Sequence, residues 1–208
     1  MITDDGKCDN DIKRRIAIAR SCFISMKDVL TTRKLKWNTR IRLVRCYVLS
    51  TLWYASDTWV ISADVERKIT SLEIWIYRRM MRISYKDHIS NESILVGLCE
   101  KPKLMKTGKK RKCKYFGYVL RAEGHKYQRL LLEERVNGKR GRGRPRNTWF
   151  TDISKWMQID YVTAARWAQD RQKWRTMVSE VQDGYGTSDW LIVTCVYVSK
   201  EHVCLNKF

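Results

Sequence analysis

The stretch SADVERKITSLEIWIYRRMMRI (residues 62–83) decides the fold class, because its apolar residues recur at the three- and four-residue spacing of an α-helix. Ser62 can cap the first turn of this helix, and Asp64 and Glu66 follow it where the helix dipole favours negative charge. The apolar stripe consists of Val65, Ile69, Leu72, Ile76, Met80 and Ile83. The stretch therefore predicts an amphipathic helix.

Helical spacing continues on both sides of this stretch. Residues 12–30 predict an amphipathic helix with a basic side, and residues 40–55 predict a helix that is apolar over most of its circumference and hence central. A short helix is expected over residues 91–98, and a very basic one over residues 103–120. Two prolines and ten glycines among 208 residues agree with long regular elements and argue against a turn-rich β-sandwich.

The segment NGKRGRGRPR (residues 137–146) is too rich in glycine and charge for regular structure, so we predict a linker and the best internal boundary there. Residues 130–136, just before it, are compatible with either a strand or a helix. Beyond it, Trp149/Trp156 and Trp167/Trp174 each lie seven residues apart, which is typical of core positions on helices.

These patterns together predict a mainly α fold in four parts. A helical region covers residues 1–100, and a basic segment with its linker covers 101–146. A small Trp-rich helical region covers 147–186, and a tail of unknown nature covers 187–208.

Positive charge is concentrated in one part of the chain. The chain has 42 basic and 22 acidic side chains, for a formal net charge of +20, and residues 101–146 alone contribute +14. A concentrated charge of this kind is typical of a surface that binds phosphates, so nucleic acid is the predicted partner. The longest uncharged stretches, of about ten residues, are too short to span a membrane, and the first residues do not form a signal peptide, so we expect an intracellular, nuclear or cytoplasmic protein.

Two basic runs supply the candidate binding residues. The run KKRKCKYF (residues 109–116) mixes cations with aromatic residues, and we expect its cations to contact phosphates because it contains no acidic residue. Tyr115 and Phe116 are better explained as the buried side of the helix. The run RGRGRPR (residues 140–146) resembles an AT-hook, in which arginines enter a narrow minor groove. The candidates are Lys109, Lys110, Arg111, Lys112, Lys114, Arg140, Arg142, Arg144 and Arg146, with Arg14, Arg15 and Arg20 as secondary candidates.

The sequence gives little support for catalysis or for a cofactor. It contains no Tyr-x-Asp-Asp, P-loop or other familiar catalytic motif, and its one acidic cluster, over residues 4–11, is better explained as a solvated turn. None of its seven cysteines forms a C-x-x-C pair, and we interpret them as small buried hydrophobic residues of a reducing compartment. A zinc site is a weaker alternative, and its ligands would be His88, Cys99, Cys113 and His125.

Several blocks of sequence also resemble a known family when they are taken together and in order. They include ITDDGKCDNDIKRRIAIARSCF (2–23), TRIRLVRCYVLSTLWYASDTW (39–59), KKRKCKYFGYVLRAEG (109–124) and GKRGRGRPRNTWFTDISKW (138–156). Over residues 2–186 the chain resembles the C-terminal third of the endonuclease–reverse transcriptase of non-LTR, LINE-like retrotransposons. One departure is Ala55, where the family usually has glycine, and we expect it to leave the helix over residues 40–55 intact.

The resemblance implies a thumb-like helical bundle of a right-hand polymerase, followed by a nucleic-acid-binding extension. The family's Tyr-x-Asp-Asp metal site and endonuclease domain precede the matched region, so the resemblance implies a non-catalytic fragment that binds RNA, DNA or their hybrid. Met1 is then expected to be an internal start or a truncation. Self-association is expected through the face that would meet the palm domain. An AT-hook-like DNA-binding module and a degenerate genomic remnant without function are the alternatives.

Overall fold

A computed structural model describes residues 8–98, 103–133 and 148–181, and over these ranges the chain is mainly α-helical with no strand. The predicted mainly α fold is thereby confirmed. The first helices are α1 (Asp9–Ser25), α2 (Lys27–Thr31), α3 (Trp37–Leu43), a π-helical turn (Val44–Val48) and α4 (Leu49–Leu52). They are followed by α5 (Ala63–Met81), α6 (Asn91–Gly97), α7 (Leu104–Arg121), α8 (Lys126–Leu132), α9 (Trp149–Met157), α10 (Tyr161–Gln169) and α11 (Arg171–Glu180).

Helix starts follow the capping chemistry of the sequence. The Ser62 hydroxyl accepts a hydrogen bond from the backbone N–H of Val65 (3.3 Å) at the start of α5, as predicted. At the start of α6 the Ser90 hydroxyl accepts one from the N–H of Ser93 (3.1 Å). Each cap satisfies a backbone donor that the helix itself leaves unpaired.

Two predicted helices are interrupted. The helix predicted over residues 12–30 breaks at Met26 into α1 and α2. The helix predicted over residues 40–55 begins earlier, contains the π-helical turn and ends at Leu52. Ala55 adopts a left-handed conformation (φ 56°), so the prediction that alanine here leaves the helix intact is wrong. A short 3-10 helix (Ser56–Thr58) follows Ala55, and Trp53 and Trp59 on either side of this segment are both buried.

Replacing Ala55 with glycine is expected to raise the free energy of unfolding by about 0.5–1 kcal/mol. An L-residue in the left-handed region is strained by about 1–2 kcal/mol, and glycine removes this strain while losing some backbone entropy on folding. Chemical denaturation measures the change, and Ala63→Gly, at the first position of α5, is the matched control. A loss of stability in Ala55→Gly as large as that in Ala63→Gly would contradict the expectation.

Helix α7 joins two clusters of buried side chains. The first cluster is formed by α1 to α6 and by Leu104 and Met105 at the start of α7. The second is formed by Cys113, Phe116 and Leu120 further along α7 together with α9 to α11. A helix expected to present a basic surface is therefore also the element on which both halves of the structure pack.

Two glycines of α7 allow tryptophans to approach its backbone. A Cβ at position 108 would lie 2.6 Å from Cη2 of Trp53, and a Cβ at position 117 would overlap the indole of Trp174. The Trp174 indole N–H donates to the Cys113 carbonyl (2.9 Å), which fixes the ring against the helix. Glycine has a low helix propensity, so these two residues weaken a helix prediction from sequence. Their presence in α7 is explained by the close packing of the two tryptophans.

The tryptophan prediction is confirmed for the C-terminal helices. Trp174 is buried, and Trp149, Trp156 and Trp167 are half-buried and pack against the second cluster. Phe116 is fully buried, as expected for the inner side of α7. Burial of these rings makes them core residues.

The described residues test several other predictions only in part. Helix α8 resolves the choice between strand and helix at Leu130–Leu132 in favour of a helix. Cys113 is buried, and burial raises the pKa of its thiol to about 12, whereas Cys46 is exposed, contrary to prediction. The predicted linker (137–146) and tail (187–208) lie outside the described ranges. Within those ranges, every helix is too short or too polar to cross a bilayer.

Candidate nucleic-acid interface

Two of the candidate cations on α7 are buried and paired, so the prediction that they contact phosphates is wrong. Lys109 is 3 % exposed and its Nζ lies 3.1 Å from a carboxylate oxygen of Glu66 on α5. Lys112 is 1 % exposed and its Nζ lies 2.6 Å from Oδ2 of Asp152 on α9. The run contains no acidic residue of its own, but the fold supplies one to each lysine from a distant segment.

The Lys112–Asp152 pair connects three segments of the fold. Lys112 Nζ also donates to the Trp59 carbonyl (2.8 Å), and Asp152 Oδ2 accepts from the Ile61 backbone N–H (2.7 Å). The ammonium lies 4.8 Å from the ring centroid of Trp149. Burial lowers the pKa of Lys112, and the Asp152 carboxylate opposes that effect. These contacts tie the loop before α5 to α7 and α9.

The other candidates on α7 remain accessible to different degrees. Arg111 and Lys114 are exposed, and neither has an acidic partner in the described ranges. Lys110 is partly buried, and its Nζ donates to the Ser179 carbonyl of α11 (2.8 Å). Of the five candidate cations in this run, two are lysines buried in ion pairs and one is a lysine held at α11. The other two, Arg111 and Lys114, are exposed and have no acidic partner among the described residues.

The three candidates on α1 have different surroundings. Arg14 is exposed, while Arg15 lies 3.9 Å from Asp11 and its guanidinium sits 4.6 Å from the ring centroid of Tyr54, next to α4. Arg20 is exposed and packs over Trp75 of α5 at 5.5 Å. The structure therefore does not bring this set together at one place.

A cavity of about 310 Å³ does bring cations together, between the π-helical turn, α5 and α7. Arg45 of the π-helical turn and Arg111 of α7 both line it, and both are exposed. We call these two residues the rim arginines. Neither has an acidic partner in the part of the chain that the structure describes. An opening with two unpaired guanidinium groups can bind an anion through charge-assisted hydrogen bonds.

Further exposed aromatic and basic residues lie on the stretch from α3 to just after α4, which contributes to the cavity wall. Arg42 of α3 and Tyr47 of the π-helical turn are exposed, and so is Tyr54 after α4. Cations beside exposed rings are typical of surfaces that bind single-stranded nucleic acid.

Sequence reasoning missed Arg42 and Arg45, although a signal for them was present. Along the helix interpreted as central, the polar or small residues Arg42, Arg45, Cys46 and Ser50 recur at helical spacing, and all four are exposed. A stripe of this kind marks the solvent-facing side of a helix.

The remaining candidates are not described. Arg140, Arg142, Arg144 and Arg146 lie outside the described ranges, as does Cys99 of the alternative zinc site. Over the described ranges, no three side chains of the His, Cys, Asp or Glu type gather where they could hold a metal ion. Comparison with protein-family models, with curated proteins and with solved structures found no match.

Proposed function

We propose that this chain binds RNA or DNA by neutralising backbone phosphates, without a catalytic step of its own. Binding takes place at the rim arginines and extends over the exposed cations beside them. The resemblance to the thumb and C-terminal extension of LINE-like reverse transcriptases implies this role. The proposed location of the chain is accordingly the nucleus or the cytoplasm.

The observation that carries the proposal is the exposure of Arg45 and Arg111 around one cavity, without acidic partners among the described residues. By contrast, the fold pairs its buried cations, Lys109 and Lys112, with carboxylates. Exposed unpaired cations that contact phosphates displace the counterions condensed on the nucleic acid, and this release is the main driving force of sequence-independent binding.

Replacing both rim arginines with glutamine is expected to weaken single-strand binding about tenfold at about 0.1 M salt. Loss of two phosphate contacts should also make the slope of log affinity against log salt shallower by about 1.4. Fluorescence anisotropy with a labelled 12-nucleotide single strand and the full 208-residue chain measures both quantities.

The matched control removes the same charge elsewhere. Arg166 of α10 and Arg175 of α11 are exposed and do not line the cavity, so their replacement with glutamine should change the affinity less than threefold. Equal losses in the two double variants would show that net charge alone governs binding and would contradict a located interface.

A further inference from the structure

The cavity between the π-helical turn, α5 and α7 has a chemical character that phosphate binding alone does not explain. Its wall is largely apolar and includes Val44, Leu49, Ile76 and Leu104. Phosphates do not need such a wall, since they bind at exposed cations. The volume of about 310 Å³ lies at the lower end of the range for small-ligand sites.

Trp53 contributes to the apolar part of this wall. It lines the cavity and is 3 % exposed, and its indole Nε1 is buried, so the ring adds apolar surface and no accessible donor. The benzene edge of this ring is held against Gly108, where an added Cβ would lie 2.6 Å from Cη2.

Among the described residues of the wall, Glu73 is the one carboxylate, and the fold already uses it. Glu73 accepts hydrogen bonds from the Tyr77 hydroxyl (2.9 Å) and from the backbone N–H groups of Lys103 (2.9 Å) and Leu104 (3.2 Å). Its oxygens are used by the fold to begin α7, so Glu73 does not offer a site for a cation. A ligand that matches the cavity has an apolar body and a negative charge at the opening.

A nucleotide of a bound strand has both features, because the base faces are apolar and the phosphate is anionic. The π-helical turn that carries Val44 and Arg45 adds an independent indication, because π-helical turns occur frequently at functional sites.

We propose that the cavity receives one unpaired base of a bound single strand, with the base packed against the apolar wall and the rim arginines holding the adjacent phosphates. This inference rests on the proposed function and adds to it a preference for single strands over duplexes. In a duplex the base edges are paired and stacked, so a duplex can use the rim arginines but cannot enter the cavity.

Filling the cavity without removing charge tests the inference. Ser50 lines the cavity and is exposed, so Ser50→Trp should block the cavity and leave the rim arginines in place. Ser71→Trp is the matched control, because Ser71 is exposed on α5 and does not line the cavity. Binding of a 12-nucleotide single strand and of a duplex with the same number of phosphates is measured for the full chain and both variants.

The unchanged chain is expected to prefer the single strand about tenfold, the order of magnitude of one base contact. Ser50→Trp should abolish this preference at unchanged duplex affinity, and Ser71→Trp should retain it. A single strand of abasic nucleotides tests the same point without any variant, and it should bind the unchanged chain no better than the duplex does.

The contrary outcomes separate the two proposals. A chain that binds single strand, abasic strand and duplex equally well, or a Ser50→Trp variant that keeps the preference, overturns the base site and leaves phosphate binding standing. A chain that binds none of these nucleic acids overturns both.

Discussion

Replacing Lys112 with methionine is expected to lower the free energy of unfolding by about 3–5 kcal/mol. Methionine keeps most of the volume of the buried stem but removes the ammonium. Asp152, which is 2 % exposed, is then left without the cation 2.6 Å from its carboxylate. The Trp59 carbonyl also loses its donor. Urea denaturation followed by tryptophan fluorescence measures the change.

Lys114→Met is the matched control for this prediction, because Lys114 is exposed on the same helix and should tolerate the change within about 0.5 kcal/mol. The double variant Lys112→Met, Asp152→Leu should recover part of the loss, because no unpaired charge remains buried. It still leaves the Ile61 N–H without its acceptor, so recovery will be incomplete. Similar losses in Lys112→Met and Lys114→Met would show that the buried pair does not stabilise the fold.

Replacing Phe116 with alanine is expected to cost about 3–5 kcal/mol, because the substitution leaves a large void in the second cluster. The ring is fully buried and lies within 5.3–6.3 Å, centroid to centroid, of Trp149, Phe150, Tyr161 and Trp174. These four partners come from α9, α10 and α11, so the substitution loosens all three helices from α7. The same urea denaturation measures the loss.

Tyr127→Ala is the control for Phe116→Ala, since Tyr127 is 79 % exposed and should cost less than about 0.5 kcal/mol. Phe116→Leu should lose less than Phe116→Ala because it leaves a smaller void. Comparable stability of Phe116→Ala and Tyr127→Ala would contradict a central role for this ring.

Residues whose interaction partners lie close to them in the sequence could be predicted well. The cap Ser62 bonds to a backbone N–H three residues away, so the local pattern already specifies it. The stripe Val65, Ile69 and Leu72 is buried as its spacing indicates. In each case the interacting groups lie within one or two turns of the same helix.

Residues whose partners lie far away in the chain could not be predicted. Lys112 is 40 residues from Asp152, and counting charges within its own run showed no carboxylate that could pair with it. Gly108 is explained by the close approach of Trp53, which lies far before it in the chain. A sequence pattern identifies which residues are basic or small, but tertiary packing decides which of them face a partner.

The candidate interface likewise combines one residue that local sequence predicted with one that it did not. Arg111 was predicted from its basic run, but its neighbour at the cavity, Arg45, comes from a helix interpreted as central. The π-helical turn shifts the helical register by about one residue, which an ideal 3.6-residue period does not anticipate. The sequence thus identifies Arg111 as a candidate, and the structure is needed to show that Arg111 and Arg45 line one cavity.

The salt dependence of single-strand affinity tests the central claim most directly. The exposed cations of the described ranges include Arg14, Arg20, Arg42, Arg45, Arg111 and Lys114. If about six phosphates are neutralised, log affinity should fall against log salt with a slope on the order of −4 to −5. An affinity that stays constant between low and high salt would contradict the claim that this chain binds nucleic acid through its exposed cations.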